Sequence, residues 1–341
     1  MVLEREYMLD PMLISLFLVS FVIAFLMCLF LLPSYIKKAH QVKMVGVDIH
    51  RADLPEIAEC GGVILVIAYL IGLFFFVPFN VPIVEVAEQE IVGTAATVLF
   101  LALVGFFDDV YCVRWRIKSL TPLIGGIPLA VMELARTTIS TPFGVLDFAM
   151  LGLYGLIIFH FVIIPLIVTA SANVVNMFAG LNGLEAGSAA IISVAIIFLS
   201  ILRGGVQLIS AIILIPFLGA VLAFLVFNKH PSRVFPGDVG TLSMGAILVC
   251  SAMLGNLERA VLIMFIPYIA NAVLFFIGKS RGREPPREAP MNPDGTLPAP
   301  SIWSLRSVLL RVRPMKETTT VYVIWLLIAL FAIAGVLSYG I

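Results

Sequence analysis

The sequence predicts an all-α protein that crosses a membrane about ten times. Of its 341 residues, 61% are hydrophobic and only 12% are charged, and the mean hydropathy is +1.11. Soluble domains carry about 25% charged residues, so most of this chain must be surrounded by lipid or by other apolar helices. The hydrophobic residues are also gathered into segments of roughly 20, the number that a helix needs to span a bilayer core.

Ten apolar segments approach that length, and each is expected to form one membrane-spanning helix. They lie near residues 12–32, 61–78, 91–107, 120–135, 147–170, 186–202, 207–227, 240–255, 259–278 and 320–339. The fourth has the weakest helical pattern, because Pro122, Pro128 and the pair Gly125-Gly126 interrupt it. Residues 1–341 are therefore predicted to form a single membrane domain.

The distribution of positive charge predicts the orientation of the chain. If both termini lie outside, 17 of the 21 Lys and Arg residues fall in loops on the cytoplasmic face, as the positive-inside rule requires. The last of these loops, residues 279–319, begins with a Pro-rich part and continues with alternating apolar and basic residues over 302–313. That alternation predicts an amphipathic helix lying on the anionic inner surface of the membrane.

Three kinds of site are not expected. The formal net charge of zero gives no reason to expect a nucleic-acid partner. Cys28, Cys60, Cys112 and Cys250 form no Cys-x-x-Cys pair, so they are predicted to pack as apolar residues and not to form a redox centre. The histidines do not have the spacing typical of zinc ligands.

Two adjacent carboxylates, Asp108 and Asp109, end the third apolar segment, and the cations Arg114, Arg116 and Lys118 follow. A carboxylate at the centre of a membrane helix costs roughly 2.5–3.5 kcal/mol on insertion scales, so a pair at the edge of a span indicates a phosphate or metal site. Neighbouring helical side chains diverge by about 100°. One carboxylate could therefore serve a metal or a nucleophile while the other holds the backbone or a cation. The alternative is an interfacial charge cluster that simply ends the helix.

A second polar stretch, residues 171–185, contains Asn173, Asn176 and Asn182 together with Gly180. Amide oxygens are suitable ligands for Mg²⁺, which takes only one or two protein groups and keeps the rest of its shell for water and substrate phosphate. A glycine would let a flat ring approach the backbone closely. The alternative is helix packing through asparagine hydrogen bonds, which is common in membrane bundles.

The third stretch is Phe235-Pro-Gly-Asp238-Val-Gly, which opens the eighth apolar segment. The N-terminus of a helix attracts negative charge. The functional interpretation is that Asp238 binds a metal, with Phe235 stacking on a base. The alternative is that Asp238 only caps the helix.

These three stretches, in this order, resemble the signatures of the polyprenyl-phosphate N-acetylhexosamine-1-phosphate transferase family, and the resemblance is closest to its eukaryotic and archaeal branch, the dolichyl-phosphate N-acetylglucosamine phosphotransferases. The resemblance implies transfer of N-acetylglucosamine-1-phosphate from UDP-GlcNAc to a polyprenyl or dolichyl phosphate, with release of UMP. This would be the first step of lipid-linked oligosaccharide synthesis for N-glycosylation. It also implies an active site on the cytoplasmic face, Mg²⁺ or alternatively Mn²⁺ as cofactor, and contact with membrane lipids. A homodimer and, in a prokaryote, the plasma membrane are further expectations.

The resemblance also implies roles for individual residues. Asn176 and Asp238 would hold Mg²⁺, Lys118 would neutralise phosphate charge, and Asp108 and Asp109 would orient the lipid phosphate or the lysine. The implied substrate-binding residues are Glu59 at the nucleotide sugar, Gly180 and Phe235 on either side of the uracil, and Asn182 at its edge.

The last cytoplasmic loop departs from the family pattern. Family members carry an Arg-His-Arg or histidine-rich cluster there, whereas this chain has Arg281, Arg283 and Arg287 and no histidine. Arg283 and Arg287 could still bind phosphates through bidentate hydrogen bonds. The donor sugar therefore stays open, as does the length of the prenyl acceptor.

Three alternatives remain at this point. The chain could be a cation-binding membrane transporter, an inactive scaffold with the same fold, or a transferase that uses a different UDP-amino sugar for a cell-envelope polysaccharide. The gathering of unusual residues on one face disfavours a transporter, because alternating access usually places a site near the membrane midplane between repeats.

Overall fold

The protein is described by a computed structural model that covers residues 11–79, 82–111, 113–131, 137–282, 291–299 and 301–340. The described ranges are mainly helical, which confirms the predicted fold class. The α-helices are α1 (Pro11–Gln41), α2 (Gly62–Phe74), α3 (Pro82–Tyr111), α4 (Trp115–Lys118), α5 (Ile127–Val131), α6 (Gly152–Ile158), α7 (Ile164–Phe178), α8 (Leu184–Arg203), α9 (Leu208–Asn228), α10 (Gly237–Leu254), α11 (Glu258–Met264), α12 (Ile266–Ser280), α13 (Leu305–Val312) and α14 (Glu317–Leu337).

Seven helical stretches in the described ranges are long and apolar enough to cross a membrane. They are Pro11–Gln41, Ala87–Tyr111, Phe148–Phe178, Leu184–Arg203, Gly205–Asn228, Gly237–Leu254 and Glu317–Leu337. Helices α11 and α12 form an eighth if the 55° bend between them is taken as one broken span. The protein is therefore an integral membrane protein by the length and composition of its helices.

The two other predicted segments form shorter apolar helices, Gly62–Phe74 and Thr121–Val131. The second begins as a 3₁₀ helix over Thr121–Gly126 and continues as α5, which matches the interruption expected from Pro122 and Pro128. Within the described residues, each of the ten predicted segments contains helical structure. A total of ten crossings and the placement of both termini outside remain predictions.

Two short hairpins in loops were not predicted by the helical pattern. In one, β1 (Val45–Val47) pairs antiparallel with β2 (Glu56–Ala58), and in the other, β3 (Thr138–Thr141) pairs antiparallel with β4 (Gly144–Asp147). The first hairpin positions the site, because Ala58 also forms a parallel bridge with Val234. The bridge joins the loop after α1 to the loop before α10.

Helix α10 lies at the centre of the bundle, and every side chain from Val239 to Leu254 is buried. Small residues let neighbouring helices approach its first turn. A Cβ added at Gly105 of α3 would lie 2.5 Å from the Val239 nitrogen, and one added at Gly62 of α2 would lie 2.3 Å from the Gly240 Cα. Small residues serve this purpose widely in membrane bundles. The C-terminal end of α3 and the start of α2 are thereby held against the start of α10.

The predicted amphipathic helix is present as α13. Ser304 caps it by accepting a hydrogen bond from the Ser307 N–H, and Leu310 is buried whereas Val312 is 83% exposed. The Leu305 N–H donates to Asn271 Oδ1 of α12 at 3.0 Å. This bond attaches α13 to the bundle. Its position on the membrane surface stays a prediction.

Candidate functional site

The polar residues singled out in the sequence meet where α3 ends and α10 begins. Asp108, Asp109, Lys118 and Asp238 form a group that we call the acid–lysine centre. The Lys118 Nζ lies 2.5 Å from Asp108 Oδ2 and also donates to Asp238 Oδ2. Burial alone would lower the pKa of Lys118, but the charges of Asp238 and Asp108 raise it above its ordinary value. The lysine is therefore an ammonium ion at neutral pH.

The two adjacent aspartates contact different partners. Asp109 Oδ1 accepts the Asp238 N–H at 2.7 Å, and Asp109 Oδ2 accepts the Val239 N–H at 3.1 Å. Asp108 accepts the Val113 N–H at 2.9 Å through its other oxygen while it binds Lys118. Asp109 thus satisfies two N–H groups at the start of α10, and Asp108 holds the cation.

A glycine is required beside this contact. Gly237 has a φ of +66°, and a Cβ there would lie 2.4 Å from Asp109 Oδ2. A larger residue would be strained in the left-handed region and would also displace the carboxylate. Because Asp109 supplies the side chain that caps α10, the alternative in which Asp238 is only a cap is wrong.

Helix α7 contributes Asn176 to the same centre. The Asn176 Nδ2 donates to Asp238 Oδ1 and to Thr241 Oγ1, the latter at 2.8 Å. The Asp238 carboxylate therefore accepts a hydrogen bond from Lys118 through Oδ2 and another from Asn176 through Oδ1. The structure brings together residues that lie 62 and 120 positions apart in the chain.

The donor set of this centre fits a divalent cation. The charge of Lys118 balances only one of the three carboxylates, and hard oxygen ligands are those that Mg²⁺ prefers. Asn176 presents its N–H₂ to Asp238, so a half-turn of the amide would direct Oδ1 towards an ion bound by Asp238. The residues present therefore suit Mg²⁺ or Mn²⁺.

Glu59 and Phe235 are held beside this centre by backbone pairing. The Phe235 N–H donates to the Ala58 carbonyl at 2.8 Å, and the Gly61 N–H donates to the Phe235 carbonyl at 2.9 Å. Glu59 lies between Ala58 and Gly61 in the chain, and its side chain is half-buried. Burial, and next the charge of Asp109, raise the pKa of Glu59. The next residue, Cys60, has its Cα 3.1 Å from the position of a Cβ added at Gly237, so Glu59 lies one residue away from a contact with the start of α10.

A second polar group surrounds Asn182, in the turn between α7 and α8. We call Asp48, Asn182, His230 and Glu317 the Asn182 network. The Asn182 N–H donates to Glu317 Oε1 at 2.7 Å, and its Nδ2 donates to Asp48 Oδ2 at 2.9 Å. His230 Nδ1 lies 3.0 Å from Glu317 Oε2. Asp48, Asn182 and Glu317 are all at most 5% exposed.

Gly180 lies two residues before Asn182 and is also fixed through its backbone. Its N–H donates to Glu185 Oε1 at 2.7 Å, and its carbonyl accepts from Arg306 Nη1 at 3.3 Å. Its φ is +128°, and among the residues that the structure describes, a Cβ there would meet Arg306 Nη1 alone within 4 Å. One side of the Gly180 backbone is consequently open to a flat group.

Asp48, His50 and Glu317 place possible ligand atoms within 4.8 Å of one another. Both carboxylates already accept hydrogen bonds, including one from the His50 N–H to Asp48 Oδ1 at 3.1 Å. Burial and the charge of Arg306 lower the pKa of His50 to about 4. This group is satisfied internally, so its chemistry does not require an ion.

Sequence reasoning missed part of the site. Glu317, Asp48 and His230 are not singled out by any sequence pattern. A carboxylate in the first turn of an apolar 21-residue helix was the available signal for Glu317. Arg283 and Arg287 lie outside the described residues, so their predicted contacts with phosphate stay predictions.

Fold and site together define a polytopic membrane protein with a half-buried centre of three aspartates and one lysine, where α3 ends and α10 begins. Residues 91–256 match the model of glycosyl transferase family 4. The matched range includes the acid–lysine centre, Asn176 and Asn182. Over this range the chain is similar to glycosyl transferase family 4.

Similar proteins cover nearly the whole chain. A protein of Saccharolobus solfataricus is 29% identical over 94% of this chain and 94% of its own length, and one of Sulfolobus acidocaldarius is 28% identical over 95% and 97%. Both bear, provisionally, the name UDP-N-acetylglucosamine–dolichyl-phosphate N-acetylglucosaminephosphotransferase. The protein with that name from Dictyostelium discoideum is 29% identical over 71% of this chain and 67% of its own.

Proposed function

We propose that this protein transfers N-acetylglucosamine-1-phosphate from UDP-GlcNAc to a polyprenyl phosphate of the dolichyl type, giving the lipid diphosphate sugar and UMP. The observation that carries the proposal is the acid–lysine centre with Asn176 bound to it, a half-buried site in which three separate polar motifs of the chain meet. The names of the similar proteins support the same donor and acceptor.

The reaction is a phosphoryl transfer. An oxygen of the lipid phosphate attacks the β-phosphorus of UDP-GlcNAc and forms a new P–O–P bridge, while the bond from that phosphorus to the bridging oxygen breaks and UMP leaves. A phosphate monoester is already anionic at neutral pH, so the attack needs positioning and charge neutralisation and no strong base. Lys118 supplies positive charge at the centre, and Asp108 keeps its ammonium group in place.

Asp238 and Asn176 are the residues that would hold Mg²⁺, with Mn²⁺ as the alternative ion. When bound, the ion would neutralise charge on the diphosphate and polarise its oxygens. Asp109 fixes the position of Asp238, because its Oδ1 accepts a hydrogen bond from the Asp238 backbone N–H. It is a positioning residue in this scheme.

The nucleotide would lie on the other side of Asp238. Phe235 and the open backbone at Gly180 suit the two faces of a uracil ring, and Asn182 suits its edge. Glu59 lies beside the acid–lysine centre and would contact the nucleotide sugar. Arg283 and Arg287 of the last loop would bind the diphosphate through bidentate hydrogen bonds.

The product would start a lipid-linked oligosaccharide for N-glycosylation, and in a prokaryote the enzyme would act at the plasma membrane. A transporter fits less well, because the described polar residues gather at helix ends and not near the midplane between repeats. A transferase with another UDP-amino sugar would use the same centre, so donor competition must decide the sugar.

The test is UMP release by purified protein supplied with UDP-GlcNAc, a polyprenyl phosphate and Mg²⁺. Asp238→Ala should abolish turnover while the protein stays folded. The matched control is Asp53→Asn, an exposed carboxylate that pairs with Arg51 at 2.7 Å, and it should retain activity. Demonstrated donor binding without UMP release would refute the transferase, and equal rates for Asp238→Ala and the control would remove Asp238 from the site.

A further inference from the structure

The Asn182 side chain has a fixed orientation. Its Nδ2 donates to Asp48 Oδ2 at 2.9 Å, and the same nitrogen lies 3.4 Å from both His230 Nδ1 and Glu317 Oε2. Its backbone N–H is bound by Glu317 Oε1 at 2.7 Å. Both amide hydrogens therefore point into the Asn182 network.

The neighbouring hydrogen-bond acceptors dictate this orientation of the Asn182 amide. Asp48 Oδ1 already accepts the His50 N–H, and Glu317 Oε1 accepts the Asn182 N–H. If the amide were turned over, its oxygen would lie where Nδ2 now meets Asp48, and two acceptors would face each other without a proton. Burial makes such an unpaired contact costly. The turned-over amide is therefore disfavoured.

The consequence is that Asn182 Oδ1 is directed away from the carboxylates. Among the described residues, none donates a hydrogen bond to this oxygen. Both amide hydrogens of Asn182 are already donated to this network. Its Oδ1 can therefore accept a hydrogen bond from a bound ligand.

The geometry points to Asp48 and Glu317 as positioning residues that make this site select uracil over cytosine. This inference rests on the proposed function, in which Asn182 meets the edge of the base. Uracil presents an N3–H donor at that edge, whereas cytosine presents an unprotonated N3 acceptor beside an amino group. An oxygen acceptor therefore pairs with uracil and repels N3 of cytosine, and a site built for a hydrogen bond rejects the analogue that lacks it.

The experiment compares the dissociation constants of UMP and CMP, and the kcat/KM values of UDP-GlcNAc and CDP-GlcNAc. The variants are Asp48→Asn, Glu317→Gln and their combination. Each keeps the size of the side chain and offers an N–H₂ group that can donate a hydrogen bond to Oδ1 of a turned-over Asn182 amide. The control is Asp53→Asn, on the same loop but exposed and paired with Arg51.

We expect the preference for UMP over CMP to fall about tenfold in the combined variant and less in each single one. The Asn182 amide can then turn over and present either its oxygen or its nitrogen to the base. The control should keep the wild-type ratio. A purely structural role would weaken both nucleotides equally, so an unchanged ratio with weaker UMP binding would overturn the inference.

A measurement on the unaltered protein keeps the inference testable if the variants do not fold. UMP methylated at N3 lacks the donor, so the wild-type protein should bind it and CMP at least about tenfold more weakly than UMP. Equal binding of the three nucleotides would overturn the base-selection role while UMP release continued to support the transferase. If the wild-type protein neither bound UMP nor released it, the proposed function would fall and this inference with it.

Discussion

Removing the Asp109 carboxylate should remove two hydrogen bonds that hold the first turn of α10 against the end of α3. In the structure its two oxygens accept the N–H groups of Asp238 and Val239 at 2.7 and 3.1 Å. Asp109→Ala removes both acceptors, whereas Asp109→Asn keeps one and turns an amide donor towards the other N–H. Neither change touches Lys118 or Asn176 directly.

The magnitude follows from the bonds lost. Loss of a helix cap costs about 0.5–2 kcal/mol, and loss of a negative charge near a helix N-terminus costs about 0.3–1 kcal/mol, or up to about 2 kcal/mol when partly buried. We therefore expect Asp109→Ala to destabilise the start of α10 by about 1–4 kcal/mol and Asp109→Asn by less. Because Asp238 would move with this turn, turnover should fall by at least about tenfold in the alanine variant.

The assay measures UMP release and thermal unfolding in detergent for both variants. The matched control is Asp147→Ala, which removes an exposed carboxylate cap that accepts the Ala149 N–H at 2.9 Å. The order expected for rate and melting temperature is wild type, asparagine, then alanine, with the control near wild type in rate. Wild-type turnover by Asp109→Ala would refute the argument that this cap positions Asp238.

Four further outcomes are expected. Lys118→Gln should lower the rate far more than Lys118→Arg, because only the arginine keeps a cation between the two carboxylates; equal rates would remove the charge from the account. Gly105→Ala should lower both rate and melting temperature, since its Cβ would lie 2.5 Å from the Val239 nitrogen; an unaltered melting temperature would contradict that close approach. Chelation of divalent ions should abolish UMP release and Mg²⁺ should restore it, whereas full activity after exhaustive chelation would exclude a required ion. Burial lowers the pKa of His50 from 6.5 to about 4, so the unfolded state binds more protons in that interval and stability should fall as pH drops from 6.5 to 4; His50→Gln should flatten the pH dependence of the melting temperature, and an unchanged dependence would contradict burial as its cause.

The helical architecture could be predicted from the sequence because lipid forces apolar residues into long helical segments. The same rule explains where the prediction was incomplete. Gly62–Phe74 and Thr121–Val131 are apolar but short, so composition located the helices without deciding how many cross the bilayer. The β1–β2 hairpin was missed because it is formed in a loop, where three-residue strands leave little periodic pattern.

The acid–lysine centre was predictable in composition but not in connectivity. Asp108, Lys118 and Asp238 were recognised as polar residues at the ends of apolar segments, and the prediction that adjacent aspartates divide their roles is consistent with the observed contacts. That Asp109 caps α10 depends on contact across 129 positions of the chain. No local pattern encodes a contact of that kind.

The Asn182 network shows a different limit. Asn182 was identified through its neighbouring motif, whereas Glu317 belongs to the last helix and lies 135 positions away. Asp48 stood among several charged loop residues with nothing to distinguish it. The importance of Asp48 and Glu317 follows only from the hydrogen bonds by which they orient the Asn182 amide.

The central claim is that a sugar phosphate, and not the sugar alone, passes to the lipid. UDP-GlcNAc labelled on the β-phosphate tests it directly when supplied with a polyprenyl phosphate and Mg²⁺. The account predicts that the label appears in the lipid product and that the nucleotide released is unlabelled UMP. Label retained in released UDP would mean transfer of the sugar alone and would contradict the chemistry assigned to this site.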